Sequence, residues 1–236
     1  MEDILLLHGA LGSAAMLHPL EQALSREYRV FTLDFAGHGG TPFQQEAFSI
    51  EDFAQQVLAF LEQQQLKQVH IFGYSMGGYV ALYLASQHPD RIKSIFTLAT
   101  KFAWSAEAAA KEVKLLNPGK VKEKVPQFAA TLAQRHAPQP WERVMEQTAL
   151  MMLRLGEQPL LTATTLSQIQ QPVQVAVGDQ DTMVTLQETA EAFRSLPDAR
   201  LLVLPATPHP LERVAVSRLH HEIDLFLTSI CTPTIV

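Results

Sequence analysis

The segment GYSMG at residues 73–77 places one serine between two glycines, directly after a run of strand-forming residues and before a run of helix-forming residues. Glycines at both flanks indicate a strand-to-helix turn too tight for Cβ atoms, and such a turn lifts the hydroxyl of Ser75 above the edge of a sheet. The amino end of the following helix would favour a developing negative charge at the same place. The pattern predicts a nucleophilic serine; the plainer alternative is a tight turn that happens to contain a serine.

A serine hydroxyl becomes a good nucleophile only beside a base, and the base needs a third group to orient it. His209 is the candidate base, because it lies on a proline-bounded loop shortly after the predicted strand that ends at Leu204. Asp179 and Asp181 compete for the orienting role in the segment GDQD. Asp179 comes while the chain is still turning, whereas Asp181 is better placed to reach sideways toward the histidine. The sequence therefore favours Asp181 and predicts a turn role for Asp179.

Acyl transfer also requires hydrogen-bond donors for an oxyanion. One expected donor is the backbone amide of Met76, which directly follows the serine. The other is expected from the loop HGALGS after the first strand, with Ala10 as the donor, because His8 and Gly9 allow the chain to fold back toward Ser75.

The side chains expected to face an acyl group are apolar. They are predicted to be Leu11, Met76, Trp104 and Met183, together with apolar residues from a helical insert. Three methionines in that insert, Met145, Met151 and Met152, are more typical of helix packing, although they could line an adaptable pocket. Such a lining favours short or medium acyl groups or aromatic esters.

Nearly continuous apolar runs alternate with helical patterns, as in parallel strands that are buried on both faces. The predicted strands are Asp3–His8, Arg29–Asp34, Val69–Tyr74, Ile92–Leu98, Val173–Val177 and Arg200–Leu204. The predicted helices between and after them are Ala14–Ser25, Ile50–Gln64, Met76–Gln87, Leu186–Ser195 and one from Pro210 to about Ser229. This alternation predicts an α/β fold with a doubly wound, mostly parallel sheet of about six strands.

The alternation of strands and helices stops at residues 102–168, where one helical pattern follows another and no convincing strand occurs. Ser105 is the expected cap of the first of these helices, and the third is predicted to run from Trp141 to Leu155 and to stop at Gly156. The chain therefore divides into a core at residues 1–101 and 169–236 and a helical cap at residues 102–168.

Composition narrows the possible partners. The chain has 236 residues, 47% of them hydrophobic, and a formal net charge of −6, which argues against nucleic acid and against stable membrane association. Its single cysteine, Cys231, cannot form an internal disulfide, and no cysteine pair suggests a zinc site. Glu2 and Asp3 occupy the place where a signal peptide would be positively charged. We therefore expect a cytoplasmic monomer or homodimer that acts on a small-molecule substrate.

The motifs together resemble those of the α/β-hydrolase superfamily. His8-Gly9, Asp34 with GHGGT, GYSMGG, GDQD and His209 recur in the order and spacing of that superfamily, and the resemblance covers nearly the whole chain. It implies a catalytic triad of Ser75, His209 and Asp181, an oxyanion hole from Ala10 and Met76, a helical cap, and no metal or cofactor. The antiparallel hairpin that usually precedes the His-Gly strand is missing, so the strand Asp3–His8 is expected near an exposed sheet edge.

The resemblance implies a serine hydrolase, and we expect a carboxylesterase that cleaves small esters through an acyl-enzyme. A carbon–carbon bond hydrolase or a menaquinone-pathway-like lyase would use the same triad but would hold an acidic substrate with cations, for which Arg135, Arg143 and Arg154 are the candidates. A perhydrolase side activity and a slow-turnover ligand receptor are further alternatives.

Overall fold

The computed structural model describes residues 1–44 and 48–231, except for the side chain of Cys231. Residues 232–236 of the predicted core, and the prediction about the Cys231 thiol, therefore lie outside what is described. Six strands form one sheet within these residues: β1 Asp3–Leu7, β2 Arg29–Leu33, β3 Val69–Tyr74, β4 Ile92–Leu98, β5 Val173–Gly178 and β6 Ala199–Leu204. Every pairing is parallel, so the predicted fold class is confirmed, with each strand end within one residue of its predicted place.

The strand order is β2-β1-β3-β4-β5-β6, so β1 is the second strand from the edge and not itself the exposed edge strand. β1 pairs with β2 on one side and with β3 on the other, so its backbone groups are used on both sides. The edge belongs to β2, whose first residue, Arg29, forms an ion pair with Asp3 across the ladder. The sequence alone did not specify this order, because hydrophobic pattern identifies a strand but not its neighbours.

The helices are bounded as follows: α1 His18–Leu24, α2 Ile50–Gln63, α3 Met76–Gln87, α4 Ala106–Glu112, α5 Pro118–Lys124, α6 Pro126–His136, α7 Trp141–Glu157, α8 Ala163–Leu166, α9 Leu186–Ser195 and α10 Val216–Cys231. Short 3-10 turns lie at Ala14–Leu17, Pro89–Arg91, Val113–Leu115 and Leu211–Arg213. The last helix was predicted to start at Pro210, but the backbone of that residue is extended (ψ 125°) and a 3-10 turn intervenes.

Alternating residues of β1 divide the core into two layers. Leu5 and Leu7 pack with α2 and α3 on one face of the sheet, whereas Ile4 and Leu6 pack with α1 and α10 on the other. All four leucine and isoleucine side chains are buried. A strand covered on both faces must be apolar at successive positions, which explains why the run LLL reads as continuous in the sequence.

Helices α4 to α8 fill the chain between β4 and β5, in the region predicted to be helical. The Ser105 hydroxyl caps α4 by accepting a hydrogen bond from the amide of Ala108, as predicted. Gly156 does not end α7. A Cβ atom there would lie 2.6 Å from the Cβ of Ala109, so the glycine lets α7 run close against α4.

The order of the strands reverses around β1 and β3. Connections from β1 lead outward to β2, and those from β3 lead in the opposite direction toward β6. Open α/β sheets bind ligands in the crevice at such a reversal, beyond the carboxyl ends of the strands. The loop that begins at His8 and the turn at Ser75 both leave the sheet at this point.

Candidate active site

The backbone of Ser75 is in a conformation that L residues rarely adopt, with φ +52° and ψ −114°. Hydrogen bonds to its amide and to its carbonyl hold it there. Its amide donates to the carbonyl of Leu98 (2.8 Å), and its own carbonyl accepts from the Thr100 hydroxyl (3.0 Å) and from the amide of Gly78 (3.1 Å). Strained residues that their surroundings fix in this way are concentrated at functional sites.

Two glycines make this turn sterically possible. A Cβ atom on Gly73 would lie 2.5 Å from the backbone of Gly78, and one on Gly77 would lie 2.4 Å from the carbonyl oxygen of Leu7. Both distances are shorter than any tolerable contact. The glycines flanking Ser75 are therefore required by the close approach of α3 to β3 and β1, as the GYSMG pattern predicted.

His209 and Asp181 meet across 28 residues of sequence. The Nδ1 of His209 lies 2.7 Å from an Oδ2 oxygen of Asp181, whose side chain has no exposed surface. The other carboxylate oxygen accepts hydrogen bonds from the amides of Met183 and Val184, both at 2.8 Å. Burial raises the pKa of Asp181, but the hydrogen bonds from His209 and Val184 outweigh it and the net pKa is lowered. The aspartate is thereby kept ionised and oriented.

Asp179, the competing candidate, faces elsewhere. Its carboxylate accepts a hydrogen bond from the amide of Thr207 at 3.1 Å, which ties the loop after β5 to the loop before His209. This is the turn role that the sequence predicted for it.

The loop that carries His209 is held by a residue that the sequence reasoning missed. The hydroxyl of Tyr74 donates a hydrogen bond to the carbonyl of His209 at 2.9 Å, and the two rings lie 5.7 Å apart. Burial raises the pKa of Tyr74, so it stays a neutral donor. Its position directly before Ser75 was the available signal, because a side chain there leaves β3 next to the predicted nucleophile.

The loop after β1 closes the other side of the site. A Cβ atom on Gly9 would lie 3.2 Å from the Cβ of Ser75, so this glycine brings the loop against the serine. Ala10 and Met76, the residues predicted to supply the oxyanion donors, line the same cavity as Ser75.

Leu11, predicted to face the acyl group, is not among the residues that line this cavity. Its φ is +56°, and its carbonyl accepts hydrogen bonds from Arg135 (2.8 Å) and His136 (3.2 Å) at the end of α6. The side chain packs instead among apolar residues of α5, α6 and α7. The helical region thus fixes the loop that carries Ala10.

Three buried histidines lie beneath this loop. His8 donates from Nδ1 to the carbonyl of Gly9 (2.8 Å), so its Nε2 is the atom that accepts from the amide of Phe35. His38 lies between His8 and His136, with ring centroids 5.0 and 5.6 Å away. Burial lowers the pKa of His8 and of His136 to about 4 and that of His38 well below its usual value. All three are therefore neutral at pH 7.

These histidines predict a loss of stability in acid. The unfolded chain binds protons at each histidine near pH 6.5, and the folded chain does so only near pH 4 or below. Stability is therefore complete above pH 6.5 and falls as the pH drops toward 4, by about 1.4 kcal/mol per pH unit for each histidine. Urea unfolding between pH 7 and 4.5 measures this slope.

The variant His38→Phe tests the contribution of one histidine to this slope. The imidazole of His38 stacks on Phe48 with ring centroids 5.4 Å apart, and a phenyl ring keeps that packing without a titratable group. It is expected to flatten the slope by about 1.4 kcal/mol per pH unit relative to wild type. His18→Asn, at an exposed position, serves as the control. An unchanged slope in His38→Phe would mean that this histidine does not resist protonation.

A narrow cavity of about 40 Å³ opens at the serine. Its more polar lining residues are Ser75, His209, Lys101 and Trp104, and its apolar ones are Ala10, Ile50, Met76, Tyr79, Met151, Met152, Leu155 and Met183. Ser75 and His209, predicted from opposite halves of the chain, therefore share one cavity. Trp104 and Met183 line it as expected. Met151 and Met152 of α7, for which helix packing was the favoured prediction, also line it, whereas Met145 is buried among the helices.

The cationic groups suggested for an acidic substrate are engaged elsewhere. Arg135 binds the carbonyl of Leu11, the Arg143 guanidinium lies 4.3 Å from the ring centroid of Phe43, and Arg154 donates to the carbonyl of Phe48. None of the three lines the cavity.

The cation that does line it, Lys101, was missed by the sequence reasoning. It follows β4, the neighbour of β3, and the carboxyl ends of neighbouring parallel strands meet at one edge of the sheet. Applying that rule to the segment after β4 would have identified it.

A family model described as the alpha/beta hydrolase fold matches residues 4–140. That range is more than half of the chain. The chain belongs to the alpha/beta hydrolase fold family. The resemblance inferred from its motifs is thereby confirmed, and the six-stranded parallel sheet with flanking helices is the family's fold.

Relatives within this family include esterases and other hydrolases. The chain is 38% identical over 99 residues to the pimeloyl-(acyl-carrier protein) methyl ester esterase of Aeromonas hydrophila, covering 42% of this chain and 37% of that esterase. It is 20% identical over 230 residues to the 2-(acetamidomethylene)succinate hydrolase of Mesorhizobium japonicum, covering 90% of this chain and 83% of that one. The chain thus spans well under half the length of the methyl ester esterase.

Among solved structures, the thermophilic esterase of Thermogutta terrifontis superposes with a TM-score of 0.80 at 22% identity, over 98% of this chain and 91% of that one. This likeness shows the shared fold.

Within residues 1–44 and 48–231, none of the helices has both the length and the apolar character needed to cross a bilayer. Nor is any group of three or more His, Cys, Asp or Glu side chains in this part of the chain arranged to hold a metal ion.

Proposed function

We propose that the protein is a serine hydrolase that cleaves small carboxylic esters through an acyl-enzyme, with Ser75 as nucleophile, His209 as general base and acid, and Asp181 as the orienting group. One observation carries the proposal. The 2.7 Å contact between His209 and Asp181 is combined with a strained Ser75 on the cavity that His209 also lines. Strained nucleophile, histidine and buried carboxylate are the three parts that acyl transfer by a serine requires.

In the first half-reaction, Oγ of Ser75 attacks the ester carbonyl carbon while Nε2 of His209 takes the hydroxyl proton. The Nδ1–H of His209 remains hydrogen-bonded to Asp181, which stabilises the imidazolium. The tetrahedral intermediate collapses when the C–O bond to the alcohol breaks and Nε2–H protonates the leaving oxygen. The acyl group is then bonded to Oγ.

In the second half-reaction, Nε2 of His209 takes a proton from a water molecule that attacks the acyl carbon. The intermediate expels Oγ of Ser75, which regains its proton from the histidine, and the carboxylic acid leaves. The amides of Ala10 and Met76 stabilise the oxyanion in both halves, and each such donor is typically worth about 3 kcal/mol of barrier lowering.

The cavity supports an apolar acyl or aromatic group as the part of the substrate next to the ester. Met151, Met152 and Leu155 of α7 form one wall, and Met183 and Trp104 contribute another. We further propose that residues 102–168 act as a cap, since they supply this wall and also hold the carbonyl of Leu11. The similarity to a methyl ester esterase supports ester cleavage over carbon–carbon bond cleavage.

The test is pre-steady-state release of p-nitrophenol from esters of two to ten acyl carbons. A burst equal to the enzyme concentration, followed by slower turnover, is expected for an acyl-enzyme. Mass spectrometry of quenched enzyme should find the acyl mass on the peptide that contains Ser75. Turnover without an adduct would argue for a hydrolase that lacks this intermediate, and an adduct that does not turn over would favour the receptor alternative.

A further inference from the structure

The indole of Trp104 carries one hydrogen-bond donor, Nε1–H. Its Nε1 is buried, and it has no acceptor in the part of the chain that the structure describes. The side chain lines the same cavity as Ser75 and His209. Buried tryptophan N–H groups nearly always have a partner, because an unsatisfied one costs about 1–3 kcal/mol. A buried donor without an acceptor, on a side chain that lines the cavity, is therefore the group in this wall that a substrate oxygen can satisfy.

Lys101 determines what kind of acceptor fits beside this donor. Its Nζ donates to the carbonyl of Met183 at 3.1 Å and lies 5.9 Å from the ring centroid of Trp104. Two buried carboxylates surround the ammonium, with Glu188 at 3.8 Å and Glu112 at 3.9 Å. Two negative charges therefore lie close to the single positive charge of Lys101.

The two carboxylates make a neutral substrate oxygen a better acceptor for the indole N–H than a charged one. A substrate carboxylate next to the indole would be a third negative charge around one ammonium, and like charges at such distances disfavour ionised forms. A neutral oxygen pays no such penalty and still accepts the N–H hydrogen bond. The surroundings of Trp104 therefore favour a ketone, ether, amide or hydroxyl oxygen over an acid.

We propose that Trp104 is a specificity residue, and that the substrate class is an ester bearing a neutral acceptor oxygen at a second position, which the indole N–H binds while the ester carbonyl lies at Ser75. The inference rests on the proposed ester hydrolysis. A site built to bond one substrate oxygen discriminates against analogues that lack it, because its buried donor is then left unpaired.

The test compares p-nitrophenyl esters of equal length in wild type and in Trp104→Phe, which keeps an aromatic ring and removes the donor. One ester is a plain alkanoate, a set carries a single ketone or ether oxygen at successive chain positions, and one ends in a carboxylate. In wild type, kcat/KM for at least one neutral oxygen ester should exceed that of the alkanoate by about 10-fold. Trp104→Phe should abolish this ratio whatever it does to alkanoate turnover itself, because the ratio compares two esters in the same variant.

Three outcomes would overturn the inference: no preference for any oxygen position, a preference that survives in Trp104→Phe, or a preference for the carboxylate ester. A second measurement does not depend on turnover. Calorimetric binding of the corresponding methyl esters to Ser75→Ala should show the same preference and its loss in Ser75→Ala/Trp104→Phe. If no ester is hydrolysed but this preference is found, the proposed function fails and the role of Trp104 stands.

Discussion

Replacing Ser75 with alanine is expected to lower kcat for p-nitrophenyl esters by about a million-fold, as in other serine hydrolases that lose the nucleophile. The hydroxyl is the atom that bonds to the acyl group, and without it only binding and the backbone donors assist an attacking water. Alanine keeps the backbone of the turn, so the fold and the cavity are retained. Steady-state turnover and circular dichroism of the purified variant measure both effects.

Two further variants test whether the loss of activity in Ser75→Ala is due to the nucleophile. Ser86→Ala is the control. It removes a hydroxyl near the end of α3, the helix that follows Ser75, where the hydroxyl donates to the carbonyl of Tyr83. This variant should keep kcat within about 2-fold of wild type. Ser75→Ala/His209→Ala should be no slower than Ser75→Ala alone, because residues that act as a unit are not additive. Retention of more than about 1% of activity in Ser75→Ala would contradict a nucleophilic role for this serine.

Asp181→Asn is expected to lower kcat by about ten-thousand-fold while leaving the protein folded. The structure gives the reason. One carboxylate oxygen accepts from the amides of Met183 and Val184, so the asparagine oxygen will take that place and its NH2 will face His209. The histidine Nδ1 must then accept a hydrogen bond, which forces the proton onto Nε2. In this tautomer Nε2 cannot take the proton of Ser75.

Asp179→Asn is the matched control, because it makes the same chemical change two residues away. Its oxygen can still accept from the amide of Thr207, and kcat is expected to stay within about 3-fold of wild type. Both variants should be compared by kcat and by thermal unfolding. A large kcat loss in Asp179→Asn with little change in Asp181→Asn would reassign the orienting acid.

Local sequence was sufficient to predict where the strands of this protein begin and end. The four inner strands, β1, β3, β4 and β5, are short and mostly apolar because both faces of the sheet are covered there, so their limits are encoded in their own residues. The turn at Ser75 is equally readable from the sequence, since a Cβ atom on Gly73 or Gly77 would lie only 2.4–2.5 Å from neighbouring backbone and both positions therefore require glycine. Chain order then put His209 and the two aspartates at the correct sheet edge.

Long-range contacts were only partly predictable. The interior position of β1 depends on β2 returning to its outer side, and nothing within either strand specifies that neighbour. The cavity likewise gathers Ile50, Lys101 and Leu155 from three separate elements, which no spacing rule connects. Leu11 illustrates the same limit, because Arg135 and His136, more than a hundred residues away, hold its carbonyl in place.

The sequence by itself determined the fold class, the strand limits, the serine turn and the candidate partners of Ser75, because each depends on residues close together in the chain or on their order along it. Only the tertiary structure decided which aspartate meets His209, which side chains enclose the cavity and that the buried donor of Trp104 has no acceptor in the described part of the chain. These features depend on distances of a few ångströms between distant segments, and such distances are fixed by the packing of the whole chain.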